Sequence, residues 1–295
     1  DSDSGVAIGG TSLVGGTSSG LLSLGAVTIG DGVTLTLGAG QATPISLTTV
    51  AGTAGGSKEN LTINTTGAFS VSGSIGTDIG NLTLTQTGGA VFTGSVGSNT
   101  SRITTLILSD TSGDILFNDN LWVTTLTNDN VASQFTLHLN GTLTNVTNSV
   151  TFKTQGAVYY GNSASDALTF SRGITHIAGD NIMVGTFPAT NPAGCNDAAC
   201  TFHLGGTTTF LNVNTLIDYG SLAIRLNDVV LGDGVIFTLG AGHAGSITVN
   251  GIVGTDGGDA SDITINSSGS FTVSGSIGTD IGVITLTNTG GATFQ

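Results

Sequence analysis

The feature that most constrains this chain is that it repeats itself on two scales. Residues 29–93 align with 231–295 without a gap, at an offset of 202 positions, and roughly 38 of those 65 positions are identical. Gly-Asp-Gly-Val at 30–33 recurs at 232–235, Thr-Leu-Gly-Ala-Gly at 36–40 recurs at 238–242, and Ser-Gly-Ser-Ile-Gly-Thr-Asp-Ile-Gly at 72–80 recurs at 274–282. A shorter period lies inside the first copy. Residues 61–78 align with 82–99, about 21 positions on, so that Leu61 matches Leu82, Ile63 matches Leu84, Val71 matches Phe92 and Ile75 matches Val96. Within each short copy the apolar residues alternate and glycines interrupt them, which is strand periodicity with turn punctuation. No long stretch carries the i, i+3, i+4 spacing of a helix.

A period of 20–25 residues built from short strands and Gly/Asn/Asp turns is the signature of a solenoid. One rung cannot bury its inner face alone. Stacking supplies the partner and spaces successive backbones by about 4.8 Å. The expected fold is therefore all-β, a parallel β-helix with about three short strands per 20–25-residue rung. Its core ladder is expected to contain Leu61, Ile63, Val71, Ile75, Leu82, Leu84, Phe92 and Val96 in the first copy and Leu286 and Phe294 in the second. Residues 1–295 read as one continuous solenoid, with 29–230 as the first copy of the long repeat and 231–295 as a truncated second. The segment 155–205 departs from the pattern and reads as a coil with an inserted loop. The pattern breaks off inside a rung at Gln295, so the chain reads as a piece of a longer array. Its ends are expected to be stacking surfaces, met by continuation of the chain or by end-to-end association of copies.

Composition narrows the classes of function. Five Lys and Arg stand against nineteen Asp and Glu, a net charge of −14. That balance disfavours nucleic acid, whose phosphates need basic partners, and anionic membrane surfaces; no apolar stretch is long enough for a membrane-inserted helix. The two cysteines, Cys195 and Cys200, lie in a turn-like segment with four residues between them, which predicts a small loop disulfide and an oxidising, extracellular compartment.

Chemistry-bearing clusters are sparse. Asp110, Asp114 and Asp119 resemble in kind the clustered carboxylates of glycan-cleaving β-helices, but their spacing also suits rung turns, where Asp bonds its own backbone. Arg172, His176 and Asp180 would share one face if their segment were extended throughout. Asp256, Asp259 and Asp262 offer oxygen ligands to calcium, although the first copy does not repeat them. Thr34 and Thr36, Thr83 and Thr85, and Thr285 and Thr287 form candidate outward ladders, of the kind seen on ice-binding solenoids and on ordinary polar strand faces. There is no nucleophile elbow, zincin motif or phosphate loop, and no cofactor is expected.

Phe92-Thr-Gly-Ser-Val-Gly, followed by Ile103-Thr-Thr-Leu-Ile-Leu, resembles the strand repeats of filamentous haemagglutinin-like exoproteins and autotransporter passenger domains of bacterial surfaces. The resemblance covers residues 61–124 most closely. It implies a right-handed β-helix and a role as an extended adhesin, sheath or filament at the cell surface, with a host surface or polysaccharide as ligand. The leading expectation is a structural or adhesive protein and not an enzyme. The alternatives are a carbohydrate-active β-helix (lyase or hydrolase) and a ligand-binding passenger domain with its site in 155–205.

Overall fold

The computed structural model describes residues 5–17, 19–109, 112–128, 132–187, 200–287 and 289–295. Among them there is no helix, and every strand pairing is parallel. The chain is a β-solenoid with rungs of about 23 residues, slightly longer than the 21-residue spacing of the best-aligned pair. It divides into two compact units, one of residues 1–147 with 153–156 and the other of 148–152 with 157–295.

In the first unit the inward side chains stack rung upon rung. Ile45, Phe69, Ala90, Ile115 and Leu137 form one column, and Leu47, Val71, Phe92, Phe117 and Leu139 run beside it. Another column passes from Val27 through Val50, Ile75 and Val96 to Leu121. On the third side Leu35, Leu61, Leu82, Leu106 and Leu126 are in register, beside Leu37, Ile63, Leu84 and Leu108. All these side chains are buried. Branched aliphatic residues suit this interior because they fill a pleated face in few rotamers. Three phenylalanines continue the stacking: the Phe92 ring lies edge-on to Phe69 (centroids 5.6 Å apart) and nearly parallel to Phe117 (4.7 Å, 9°).

The second unit is built in the same way. Ile174, Phe202, Ile224, Ile247, Phe271 and Ala292 form an inward column. Phe237, Ile263 and Ile284 form another, beside Leu239, Ile265 and Leu286. Among the described residues of 155–205, Val158–Tyr160, Ala167–Phe170, Ile174–His176 and Asn181–Met183 are strands. One rung here is long: Ile174 pairs with Phe202, 28 positions on, whereas Phe202 pairs with Ile224 after 22.

The long duplication is copied in three dimensions over most of its inward ladder. Ile45, Phe69 and Ala90 are stacked as Ile247, Phe271 and Ala292 are, each 202 positions later. At one corner Thr65 donates its hydroxyl to Gln41 O (2.8 Å) and accepts the Gly67 N–H (3.0 Å); Ser267 does the same with His243 O (2.9 Å) and the Gly269 N–H (3.1 Å). Left-handed backbone recurs at Gly38 and Gly240 (φ 84° and 80°) and at Asp78 and Asp280 (62° and 60°).

Leu286 and Phe294 occupy the ladder positions that the alignment assigns them, paired to Ile265 and Val273, yet they are 43% and 50% exposed. Among the described residues their strands have a neighbour on one side only. An inward-facing residue is sealed by the rungs on both sides, so direction alone does not bury it.

Candidate functional surface

The residues with catalytic potential are dispersed by the fold. Asp114 opens the strand Asp114–Phe117 and is exposed. Asp119 is exposed too, and its Oδ1 accepts the Asn120 N–H (2.7 Å), a local turn contact. Asp110 lies outside the described residues. Arg172, His176 and Asp180 do not share a face. The turn at Ser171 and Arg172, closed by the Gly173 N–H on Phe170 O (3.2 Å) and followed by φ 113° at Gly173, resets the alternation before the strand Ile174–His176 begins. Arg172 is therefore exposed while His176 is fully buried. Asp180 accepts the hydroxyl of Thr207.

His176 belongs to a polar island inside the second unit. Its Nδ1 lies 2.8 Å from Asn181 Oδ1, which also accepts the Tyr160 hydroxyl (3.3 Å), and the Phe152 ring is edge-on to the imidazole at 6.1 Å. Burial holds the Tyr160 phenol well above its ordinary pKa. These buried bonds order a rung; nothing in them is open to a substrate.

The calcium candidates are not gathered either. Among the described residues no group of three His, Cys, Asp or Glu side chains is placed to hold a metal ion. Asp262 Oδ1 instead accepts the Val283 N–H (2.8 Å), and the Asp259 N–H is donated to Asp233 Oδ1 (2.8 Å). These are the turn roles that short carboxylates take.

Cys200 is buried, 5% exposed, at the end of the long rung, whereas Cys195 lies outside the described residues. The proposed disulfide has a direct check. Intact mass after alkylation without reductant is expected to show no added groups, and both cysteines should be labelled once reductant is present. Two labels without reductant would disprove the bond.

The outer faces carry the extended features. In the first unit Thr36, Thr62 and Thr83 stack in register and are followed by Ile107 and Thr127. Thr34, Asn60, Asn81, Thr105 and Thr125 run alongside. On another part of this unit Arg102 lies over the Trp122 ring (5.1 Å to the centroid) and donates to Asn145 Oδ1 (2.9 Å). In the second unit Thr238, Thr264 and Thr285 form a shorter threonine ladder. A second outward ladder runs Thr151, Thr175, His203, Arg225, Thr248, Thr272 and Thr293. Burial and the adjacent Arg225 hold His203 below its usual pKa.

One outward column is apolar. Tyr159, Ile182, Phe210, Val230 and Val253 stack over five consecutive rungs of the second unit and are half-buried. Residues 28 and 51, which correspond to Val230 and Val253 in the first copy, are Thr and Ala. The alternation rule does not find this stripe, because Val-Tyr-Tyr, Asn-Ile-Met, Thr-Phe-Leu and Val-Val-Leu offer large apolar groups to the outer face as well as the inner.

Comparison of the chain with known protein families, with curated proteins and with solved structures returns no match to any of them.

Proposed function

We propose that this chain is a structural and adhesive β-solenoid segment of an extracellular, surface-attached or filament-forming protein. The observation that carries this reading is the duplication. It reproduces stacking register, corner hydroxyl bonds and left-handed positions at a constant offset of 202 residues, while outward residues such as Thr28/Val230 and Ala51/Val253 differ. Copying of this kind extends a scaffold in length; of its outward positions some are kept, as Thr36, Thr62 and Thr83 are in Thr238, Thr264 and Thr285, and others vary. In-register parallel rungs also hold their backbone groups in continuous ladders, which opposes local opening and therefore cleavage.

Two kinds of partner fit the reading. The outer hydroxyl and amide ladders suit a polysaccharide or glycosylated host surface. The open edge of the strands Ile281–Thr287 and Ala292–Phe294 suits a rung of the same chemistry from a second copy.

Beads coated with the chain are expected to be retained on glycan-bearing surfaces above albumin-coated controls. The chain is also expected to survive a broad-specificity protease that digests a denatured sample. Retention no better than albumin, or digestion at the denatured rate, would defeat the proposal. Steady release of new sugar ends from a polysaccharide would replace it with the enzymatic reading.

A further inference from the structure

We propose that Glu59 is a proton-operated latch of the part of a rung formed by residues 52–65: this part is tight while the buried carboxyl carries its proton and loosens when that proton leaves. Glu59 opens the strand Glu59–Thr65 and shares the inward face with Leu61 and Ile63. It is 0% exposed, and neither carboxyl oxygen has a hydrogen-bond partner. The carboxyl fills the space over Gly52, where an added Cβ would collide with Oε2. The charged groups that face it are acidic: Asp31 in the turn of the preceding rung and Asp78 in the turn of the following one. The neighbouring cation points elsewhere, since Lys58 donates its ammonium to Arg102 O (3.1 Å).

The physical consequence is a carboxyl for which the neutral form is favoured. Burial raises its pKa above the ordinary value, and Asp78 and Asp31 add to the rise. The backbone N–H groups of Glu59 and Thr53 oppose it, but they are donated to Asp78 O (3.1 Å) and Ile29 O (2.9 Å) and do not pair the carboxylate. An isolated buried carboxylate is costly, so the closed rung binds a proton that the opened rung releases. With the folded pKa above the open-state value, the closed rung loses stability as pH rises from the open-state pKa towards the folded one. The loss is complete above the folded pKa and absent in acid.

The duplicated rung has no such device. Ser261 stands 202 positions after Glu59, is equally buried, donates to Gly232 O (2.7 Å) and accepts the Val235 N–H (3.2 Å). The acids around it are kept, Asp233 for Asp31 and Asp280 for Asp78. The difference between the two rungs at this corner is thus a titrating group with no partner against a hydroxyl with two.

The test is amide hydrogen exchange of the full chain between pH 4 and pH 8, read by mass spectrometry and corrected for intrinsic rates. Protection of 52–65, relative to 254–267, is expected to fall with rising pH, by roughly tenfold for each unit by which the folded pKa exceeds the open-state one. In Glu59→Ser and Glu59→Gln the ratio is expected to be flat, the serine by copying the second rung and the glutamine by keeping shape without a titrating proton. A flat ratio in the unaltered chain, or a slope that survives in either folded variant, would overturn the latch.

Discussion

Replacing Phe92 by alanine is expected to destabilise the first unit by about 3–5 kcal/mol, the usual cost of emptying a buried aromatic site. Phe92 is 1% exposed and held between Phe69 and Phe117, so neither neighbouring rung can collapse into the space without losing its own stacking. Its counterpart in the duplication supplies the comparison. Phe294 meets Phe271 as Phe92 meets Phe69, with centroids 5.8 Å apart against 5.6 Å, yet it is 50% exposed. Phe294→Ala is therefore expected to cost roughly half as much or less, because exposed area contributes no transfer energy and leaves no cavity. Denaturant midpoints of the two variants, followed by circular dichroism and by exchange within each unit, measure the difference. Equal losses would show that sealing by the second neighbouring rung is not what makes the Phe92 site expensive.

The second large effect is expected at the left-handed glycines. Gly38→Ala should destabilise by roughly 2–4 kcal/mol, and Gly240→Ala by a similar amount. Both positions have φ near 80°, which costs an L-residue about 1–2 kcal/mol, and in both an added Cβ would meet the carbonyl of the next rung, Asn64 O or Asn266 O. A backbone oxygen fixed in a ladder cannot move aside as a flexible side chain can, so a steric cost adds to the conformational one. Gly10→Ala is the control. Its added Cβ meets nothing within 4 Å and its φ is not left-handed, so the change should be close to neutral. A neutral Gly38→Ala, seen as an unshifted melting curve, would mean that the corner relaxes and that the duplication keeps glycine there for another reason.

Much of the fold is legible in residues 61–99. The alignment that matches Leu61 to Leu82 and Val71 to Phe92 is the stacking register itself, because one rung's inner face is buried only by the same positions of the next. The dispersal of Arg172, His176 and Asp180 was not legible. Period two holds within a strand, but a turn of unspecified geometry at Ser171 and Arg172 sets a new phase, and spacing counted across it loses meaning. Nor was the apolar stripe, since in Val158–Tyr160 three consecutive apolar residues leave alternation without contrast.

The sequence by itself determined that parallel rungs stack and which residues stand above which inside the duplicated region, because repetition at constant spacing demands equivalent environments. Only the tertiary structure decided which of two adjacent apolar residues faces out, that Glu59 in Gly-Ser-Lys-Glu-Asn is an interior group while Asp31 and Asp78 remain at turns, and that Leu286 and Phe294 stand half open. These outcomes depend on the phase with which each turn delivers the chain to its strand and on whether a further rung lies across it. Both are properties of contacts between rungs, and a linear pattern of residue types does not contain them.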